Sequence, residues 1–376
     1  MKGLRAHGRP GPPGQPRTGG FFATTVPGLG KLLLAEIAEN PALEPEHEVS
    51  FDGRADIVVF RQRRGAQFSL DEMRLSEDVF ARIGESRAGP SARVAAETIT
   101  RAGLEHALST RARFSRPLRA AMTFRAVTRV VDESRFKRTE LRDSVIRAIA
   151  ANRPRWRTAD PADIEIWVLE HHRAHFISGV RLSDKRMRQR GEGRARERHA
   201  ALRPAVAAAM VRLAGAPPGR LLDPCCGTGT IVAEALAAGW EASGSDIEPR
   251  AVAMARANVP NAAIKEADAL HLPHQDAEFD AVVSNVPFGR QFRVDAGPAR
   301  WLSGFLREAA RVTRPGGRVV VLAPPPAPAG PAGLKLIDAH PIRLLGVPAR
   351  IWVYERDNAP AYSRASMAAA SRSRSM

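Results

Sequence analysis

The order of apolar and polar residues changes character along the 376-residue chain. After some twenty residues rich in Pro, Gly and Arg, the segment FFATTVPGLGKLLLAEIAEN (21–40) predicts a short strand, a Pro-Gly turn and an amphipathic helix. Phe51, Ile57, Val58, Val59 and Phe60 continue as strand-like segments. From Leu75 to Ser109 the pattern is mixed, with helical spacing at Val79 and Ile83 and again at Ala95, Ile99 and Leu104. Between 120 and 181 the rhythm is clearer. AAMTFRAVTRV alternates as a strand. SRFKRTELRDSVIRAIAANR predicts a helix with Leu141, Val145, Ile146 and Ile149 toward the core. IEIWVLE and AHFISGVRL predict two strands joined at His171-His172-Arg173. Together they make an α+β module of strand, helix and hairpin.

From Leu202 the pattern becomes α/β. AALRPAVAAAMVRLAG predicts a helix, and RLLDP, EASGSDI, AAIKEAD, FDAVVSN and GGRVVVLAP are short apolar strands. Helical segments such as TIVAEALAAG and PRAVAMARANV lie between them, so the sheet is expected to be parallel. GLKLIDAH and IRLLGVPARIWVYE are expected to close it as an antiparallel pair. The expected division is a basic tail without fixed structure over 1–20, domains over 21–75 and 76–185, a basic linker over 186–200, an α/β domain over 201–356, and a second tail over 357–376.

Charge and cysteine usage narrow the classes. The formal net charge is +17, and residues 101–200 hold 24 Lys+Arg against 12 Asp+Glu, whereas residues 1–100 hold 13 of each. Only six of the 57 basic residues are Lys, a bias that inflates Arg everywhere but does not explain its concentration in one block. A localised basic field fits a polyanionic partner, because neutralised phosphates release counterions. The connector KRMRQRGEGRARERHAALRP adds Arg186, Arg188, Arg190, Arg194, Arg196 and Arg198. The two cysteines, Cys225 and Cys226, are adjacent, which excludes a disulfide framework and suits a reducing compartment. No second pair supplies zinc-finger spacing, so no metal site is expected. There is no apolar run of about 18 residues and no secretory leader, so a cytoplasmic protein without membrane contact is expected.

The candidate chemistry sits at strand ends. LLDPCCGTGT places Asp223, Gly227 and Gly229 where the first α/β strand meets its helix, a place where a ligand can approach backbone N–H groups. A tight turn with packing glycines is the bland alternative. GSDIEP ends the next strand with Asp246, which can accept both ribose hydroxyls of an adenosine ligand or merely cap the following helix. Asp268 ends the third strand. The turn is D-P-x-x-G-x-G, not the G-x-G-x-x-G of nicotinamide enzymes. It resembles motif I of class I S-adenosylmethionine-dependent methyltransferases. That resemblance implies S-adenosylmethionine as cofactor, with Asp223, Cys225, Gly227 and Gly229 around its methionine part. Asp246 and Ile247 would lie at the ribose, Asp268 and Ala269 at the adenine, and Asn285 beside the reacting end.

SNVPFGRQ, at the end of the fourth strand, resembles the (N/D)-P-P-(Y/F/W) signature of methyltransferases that act on planar nitrogen. An exocyclic amine is a poor nucleophile because its lone pair is delocalised into the ring. The Asn285 amide oxygen and a nearby carbonyl can accept both of its N–H bonds and aim the lone pair, so the gain is in orientation and charge stabilisation. Pro287 shapes the loop, and Phe288 offers a flat face to a flipped base. Val286 replaces the first proline, a variant that points to RNA guanine-N2 methyltransferases.

The front half, FFATTVPGLGKLLLAEI with FRAVTRVVDESRFKRTELRDSVIRAI, resembles THUMP-containing RNA methyltransferases. The implied architecture is an N-terminal ferredoxin-like domain (21–75), a THUMP domain (76–185) and a C-terminal Rossmann-like methyltransferase sheet. Arg125, Arg129, Lys137, Arg138, Arg142, Arg188, Arg190 and Arg290 are the candidate RNA contacts, with Arg293 near the last. Some of these charges can instead pair with Asp132, Glu133, Glu140 and Asp143. The favoured reading is a monomeric tRNA guanine-N2-methyltransferase, with an activating subunit left open. Its alternatives are a ribosomal RNA guanine-N2, a DNA-amine or a protein-amide methyltransferase, and an RNA-binding protein with an inactive domain.

Overall fold

The computed structural model describes residues 18–51, 53–87, 91–115, 121–131, 135–184, 202–287, 297–344 and 346–358. The chain forms two compact units, one built mainly from residues up to 192 and the other mainly from those after 207. Among the described residues no helix is long and apolar enough to cross a membrane.

The first unit holds strands β1 (Phe21–Thr25), β2 (Leu43–Phe51), β3 (Ala55–Gln62), β4 (Asp78–Arg87), β5 (Thr123–Arg129), β6 (Arg157–Thr158), β7 (Ile164–His172) and β8 (His175–Arg181). Helices α1 (Gly30–Glu39), α2 (Ala92–Ala96), α3 (Arg101–Arg111) and α4 (Arg138–Asn152) accompany them. All eight strands join one sheet in the order β2-β3-β1-β4-β8-β7-β5-β6. Central β1 is buried at every position, and Phe22 stacks on Phe80 at 4.5 Å. The close packing requires Gly179 in β8, since a Cβ there would stand 2.6 Å from the Phe22 ring. At the start of α1, Asp56 of β3 accepts from the N–H groups of Gly28 (2.7 Å) and Gly30 (2.9 Å), doing the capping that Leu29 cannot.

Two expectations need correction here. Val79 and Ile83 lie in strand β4, not a helix. An i,i+4 pair faces the same side under both periods, and β4 is buried on both faces over its first seven residues, so no alternation revealed it. Helix α4 buries Leu141, Val145 and Ile149 as expected, but Ile146 is only half-buried.

An ionic network unforeseen from the sequence lies within this unit. Arg82 is fully buried and reaches Glu46 (3.1 Å), Glu85 (3.3 Å) and the Gly19 carbonyl (2.6 Å). His47 stands 3.0 Å from Glu85. His171, 6% exposed, has no hydrogen-bond partner at either ring nitrogen. Burial pushes its imidazole down to about 4, against the pull of Glu85 and with the help of His175, His47 and His172. A depressed folded-state pKa gives stability that is present above the ordinary value near 6.5 and lost as the pH falls toward 4. His171→Leu should therefore flatten the acid-side loss of thermal stability between those pH values by roughly 3 kcal/mol. Parallel melting profiles for the parent and the variant would contradict this assignment.

The second unit holds β9 (Arg220–Asp223), β10 (Glu241–Asp246), β11 (Ala263–Glu266), β12 (Phe279–Asn285), β13 (Thr313–Ala323), β14 (Leu334–Leu344) and β15 (Val347–Arg356). Its helices are α5 (Pro204–Leu213), α6 (Thr230–Ala237), α7 (Pro249–Asn258) and α8 (Pro298–Val312). The sheet order is β11-β10-β9-β12-β13-β15-β14. Strands β11 to β13 are parallel, and β15 runs antiparallel to β13. The chain moves outward from β9 to β11 and then returns to β9's other side with β12. Such a reversal opens a crevice at the carboxyl ends of β9 and β12. The core beneath it joins Leu222, Phe279 and Val282 of the sheet to Phe305, Leu306, Ala309 and Val312 of α8. This is a Rossmann-like, mainly parallel sheet.

Candidate active site

Strand β9 buries Leu221 and Leu222 and ends on Asp223. The chain then turns through Pro224–Gly229 into α6. Gly229 caps that helix at φ +84°, and Gly227 sits at φ +53°. A Cβ at Gly229 would come within 2.9 Å of the Val259 side chain, whereas one at Gly227 would meet nothing within 4 Å. One glycine is thus required by packing and the other borders open space. The Cys226 N–H donates to the Ser245 carbonyl (2.8 Å) and Asn258 Nδ2 to the Thr228 carbonyl (3.0 Å), so β10 and α7 both pin the turn.

Carboxylates gather around it. Asp223 is buried, and its Oδ1 accepts from Ser284 Oγ at 2.8 Å and from the Cys225 N–H at 3.2 Å. Burial raises its carboxyl to about 7; the bonds from Ser284 and Cys225 oppose the rise and Asp246 adds to it. The thiols of Cys225 and Cys226 are pushed up by burial and by Asp223, so neither is a ready nucleophile. Asp246 ends β10, two residues beyond Gly244, the β9 partner of which is Asp223. Its Oδ2 accepts from Gly227 N–H (2.9 Å) and its Oδ1 from Glu248 N–H (3.0 Å). It therefore braces the glycine turn and the residue before α7 without capping the helix itself, where Glu248 is the N-cap and no side chain supplies a cap bond. Ile247 beside it is 67% exposed, an unusual position for a large apolar side chain next to a polar turn.

Asp268 follows β11. It accepts from Leu270 N–H (2.9 Å) and stands 3.0 Å from His271 Nδ1. Burial works upward on its carboxyl, but the His271 and Leu270 bonds and the His271 charge bring it below the usual range. Ala269 is buried in the core.

Asn285 is the last residue of β12, opposite Leu322 of β13. Its Oδ1 is buried and has no hydrogen-bond partner. Buried polar atoms are nearly always paired, so an orphaned amide oxygen at a strand end suits a ligand N–H. Val286 is buried in the core and Pro287 is half-buried. Phe288 and Arg290 lie outside the described residues, as do Arg188, Arg190 and Arg293. Open space at Gly227, the braced turn and the orphaned Asn285 oxygen fit a small ligand with a hydrogen-bonding end, as an adenosyl sulfonium donor has.

The candidate basic residues of the first unit divide. Arg125 lies 3.4 Å from Asp160 and 3.9 Å from Glu165, and Arg142 lies 3.7 Å from Asp143. Lys137 and Arg138 are exposed at the start of α4. Burial lowers the Arg129 guanidinium, and the like charges of Arg138, Arg54 and Arg125 lower it further. It also sits 5.9 Å above the Trp167 ring. Sequence reasoning missed Ser284, Arg54 and Trp167. Ser284 was visible beside the motif, but nothing in the sequence brings Arg54 or Trp167 to Arg129.

Comparisons with known proteins find methyltransferases. Residues 192–326 match the RMKL-like methyltransferase domain. The chain is 35% identical over 167 residues to a tRNA (guanine(6)-N2)-methyltransferase of Thermus thermophilus, a match covering 41% of this chain and 50% of that protein. It is 40% identical over 123 residues to a demethylmenaquinone methyltransferase of the same organism, covering 31% of this chain and 52% of that one. The chain thus spans about half the length of these curated relatives. The crystal structure of TrmN from Thermus thermophilus is 26% identical, with a TM-score of 0.70, and the match covers 89% of this chain and 99% of that one.

The raised carboxyl of Asp223 gives a signed expectation. Its folded-state value exceeds the ordinary 3.8, so its contribution to stability is full below 3.8 and lost as the pH rises through about 7. Asp223→Asn keeps an acceptor for Ser284 and Cys225 yet cannot ionise. Its melting temperature should gain on the parent's between about pH 4 and pH 7 and hold a constant lead above that. A difference that does not change with pH would refute the buried carboxylate's cost.

Proposed function

We propose that the chain is an S-adenosylmethionine-dependent RNA methyltransferase that transfers a methyl group to the exocyclic N2 of a guanosine, with tRNA as the substrate. Its C-terminal unit carries a methyltransferase domain, and S-adenosylmethionine is the donor of that domain. The relative at 35% identity bears the name of a tRNA guanine-N2 enzyme and supports the finer reading. The menaquinone relative shares a shorter segment, and its name says nothing of the basic first unit.

The observation that carries the reading is the buried, unpartnered Oδ1 of Asn285 at the crevice bordered by the glycine turn. The bound donor supplies an activated methyl group on a positively charged sulfur. This chain's residues supply position. Asn285 Oδ1 accepts one N–H of the target amine, and a carbonyl of the following loop accepts the other, so the nitrogen lone pair faces the methyl. The growing positive charge on nitrogen is met by those same acceptors, so no strong base is required before transfer, and the surplus proton left on nitrogen then passes to water. Asp223 and the turn through Gly227 and Gly229 hold the donor's methionine end, with Cys225 alongside. Asp246 retains lone pairs for ribose hydroxyls after its two backbone bonds. Ile247 covers the adenine, with Asp268 and Ala269 at its edge. Phe288 stacks on the flipped base.

In the first unit, which we read as ferredoxin-like and THUMP segments, Arg129, Lys137 and Arg138 contact RNA phosphates, with Arg125 and Arg142 released from their ion pairs. Arg188, Arg190 and Arg290 are further candidate phosphate contacts in this reading, and the protein acts as a cytoplasmic monomer.

Labelled donor incubated with total tRNA, ribosomal RNA, duplex DNA and protein should label tRNA, and nucleoside mass spectrometry should find N2-methylguanosine. Label in ribosomal RNA alone would move the substrate, and label in DNA or protein would remove the RNA claim. Asn285→Ala should lower transfer about 100-fold while donor affinity stays within about threefold. Transfer at the parental rate would remove Asn285 from the reaction. Gly227→Ala should lose about 1 kcal/mol of stability through its left-handed φ and bind donor about tenfold less well, because its methyl enters the donor's space. Gly229→Ala should lower the melting temperature further, through its added contact with Val259. Unchanged donor affinity in Gly227→Ala would place the donor elsewhere.

A further inference from the structure

Backbone pairing between β9 and β12 runs through Leu221 with Ala281 and Leu222 with Val282. Past that point each strand keeps only its other neighbour: Asp223 lies opposite Gly244 of β10, and Ser284 opposite Val321 of β13. A side-chain bond spans the crevice where the ladder has stopped. Ser284, itself fully buried, donates through Oγ to Asp223 Oδ1 at 2.8 Å. Asp223 opens the glycine turn, and Ser284 immediately precedes Asn285. One hydrogen bond thus links the two halves of the site.

We propose that Ser284 is a positioning residue whose hydroxyl latches the donor-side turn to the strand presenting Asn285, and so sets the distance between donor and target amine. The inference rests on the methyltransferase reading and assigns a part in it to a residue that touches neither donor nor substrate.

Two physical features support it. A buried carboxylate is costly unless paired, so Asp223 has a strong reason to keep this donor and to draw β12 toward it. The other groups facing Asp223 do not replace Ser284. Asp246 from β10 repels it, and the two neighbouring thiols, protonated under burial, are only weak donors. The Cys225 N–H, at 3.2 Å, remains as the second donor to the same oxygen, but it belongs to the turn itself and ties nothing to β12.

Three variants test the latch in the full chain: Ser284→Ala removes the hydroxyl, Ser284→Cys keeps volume but donates weakly, and Ser284→Thr keeps the hydroxyl. Donor binding is followed by calorimetry from pH 6 to 9, and single-turnover methyl transfer is measured with total tRNA. In the Ala and Cys variants transfer should slow about tenfold, with donor affinity at pH 8.5 within about threefold of the parent. Their loss of donor binding on the acid side should move up by about one pH unit, because Asp223 has lost a bond that favours its charged form. Ser284→Thr should restore both, and thermal melting of each variant checks that it is folded. A Cys variant at the parental rate would make the role one of packing alone and overturn the latch. So would an Ala variant that loses only melting temperature. A parent chain that binds no donor defeats the methyltransferase reading and the latch together. A parent that binds and transfers, with Ser284→Ala indistinguishable from it, defeats the latch alone.

Discussion

A carboxylate withdrawn from water at the end of β9 constrains the rest of the catalytic unit. An isolated buried charge is expensive, so Asp223 must be met by donors from nearby elements. One comes from its own turn, the Cys225 N–H, and one from Ser284 on the returning strand. Because β12 is the strand that reverses the sheet order, the second bond forms across the point where the crevice opens. Asp246 repeats the logic one strand over, spending one oxygen on the glycine turn and the other on the start of α7. The turn is therefore held by side chains from the strands on either side of β9, and its glycines are free to adopt the left-handed conformations that expose backbone to a ligand.

The α/β half was legible because its signals are short-range. Strands β9, β10 and β12 each end in an acid or an Asn and are each followed by a helix, so their type, order and the strand-end positions of Asp223, Asp246 and Asn285 could be read directly. What a sequence does not display is which strand ends face one another. Ser284 stood next to a recognised motif yet drew no attention, since its partner lies 61 positions away. The front half was harder for a different reason. A sheet core buried on both faces loses its alternation, so Val79 and Ile83 of β4 could pass for a helix stripe. The Arg82–Glu46–Glu85 network and His171 beside it, which makes no hydrogen bond through its ring, depend on long-range packing that no local pattern encodes.

Charge counting carried further than charge pairing. The surplus of arginine between residues 101 and 200 is a property of composition and survives folding. Which of those arginines face solvent is decided by neighbours. Arg125 and Arg142 find carboxylates within 4 Å, and Arg135 is tied to Glu170. Arg129 instead lies among Arg138, Arg54 and Arg125 with an aromatic ring below it. Crowding like charges costs free energy in the isolated protein, and an anion laid across them recovers it. Counterion release then adds to the gain. A paired arginine contributes less, because it must first give up its carboxylate.

The departure of the loop from its usual pattern has a packing explanation. Where related loops carry a first proline, this chain has Val286, and its side chain is buried in the core with Leu222, Phe305 and Trp352. A proline there fixes φ through its ring; a buried valine fixes position through contacts on several sides. Both devices hold the preceding residue still, and that residue is Asn285. The asparagine is thus constrained from behind by Ser284's bond to Asp223 and from ahead by Val286's anchorage in the core. Its amide oxygen can then remain unpaired in the interior, because the backbone on both sides is too well tied to let it turn toward another partner. An unsatisfied acceptor costs about 1–3 kcal/mol in the unliganded protein. That cost is removed by a ligand that brings a donor hydrogen to this position, as an exocyclic amine does.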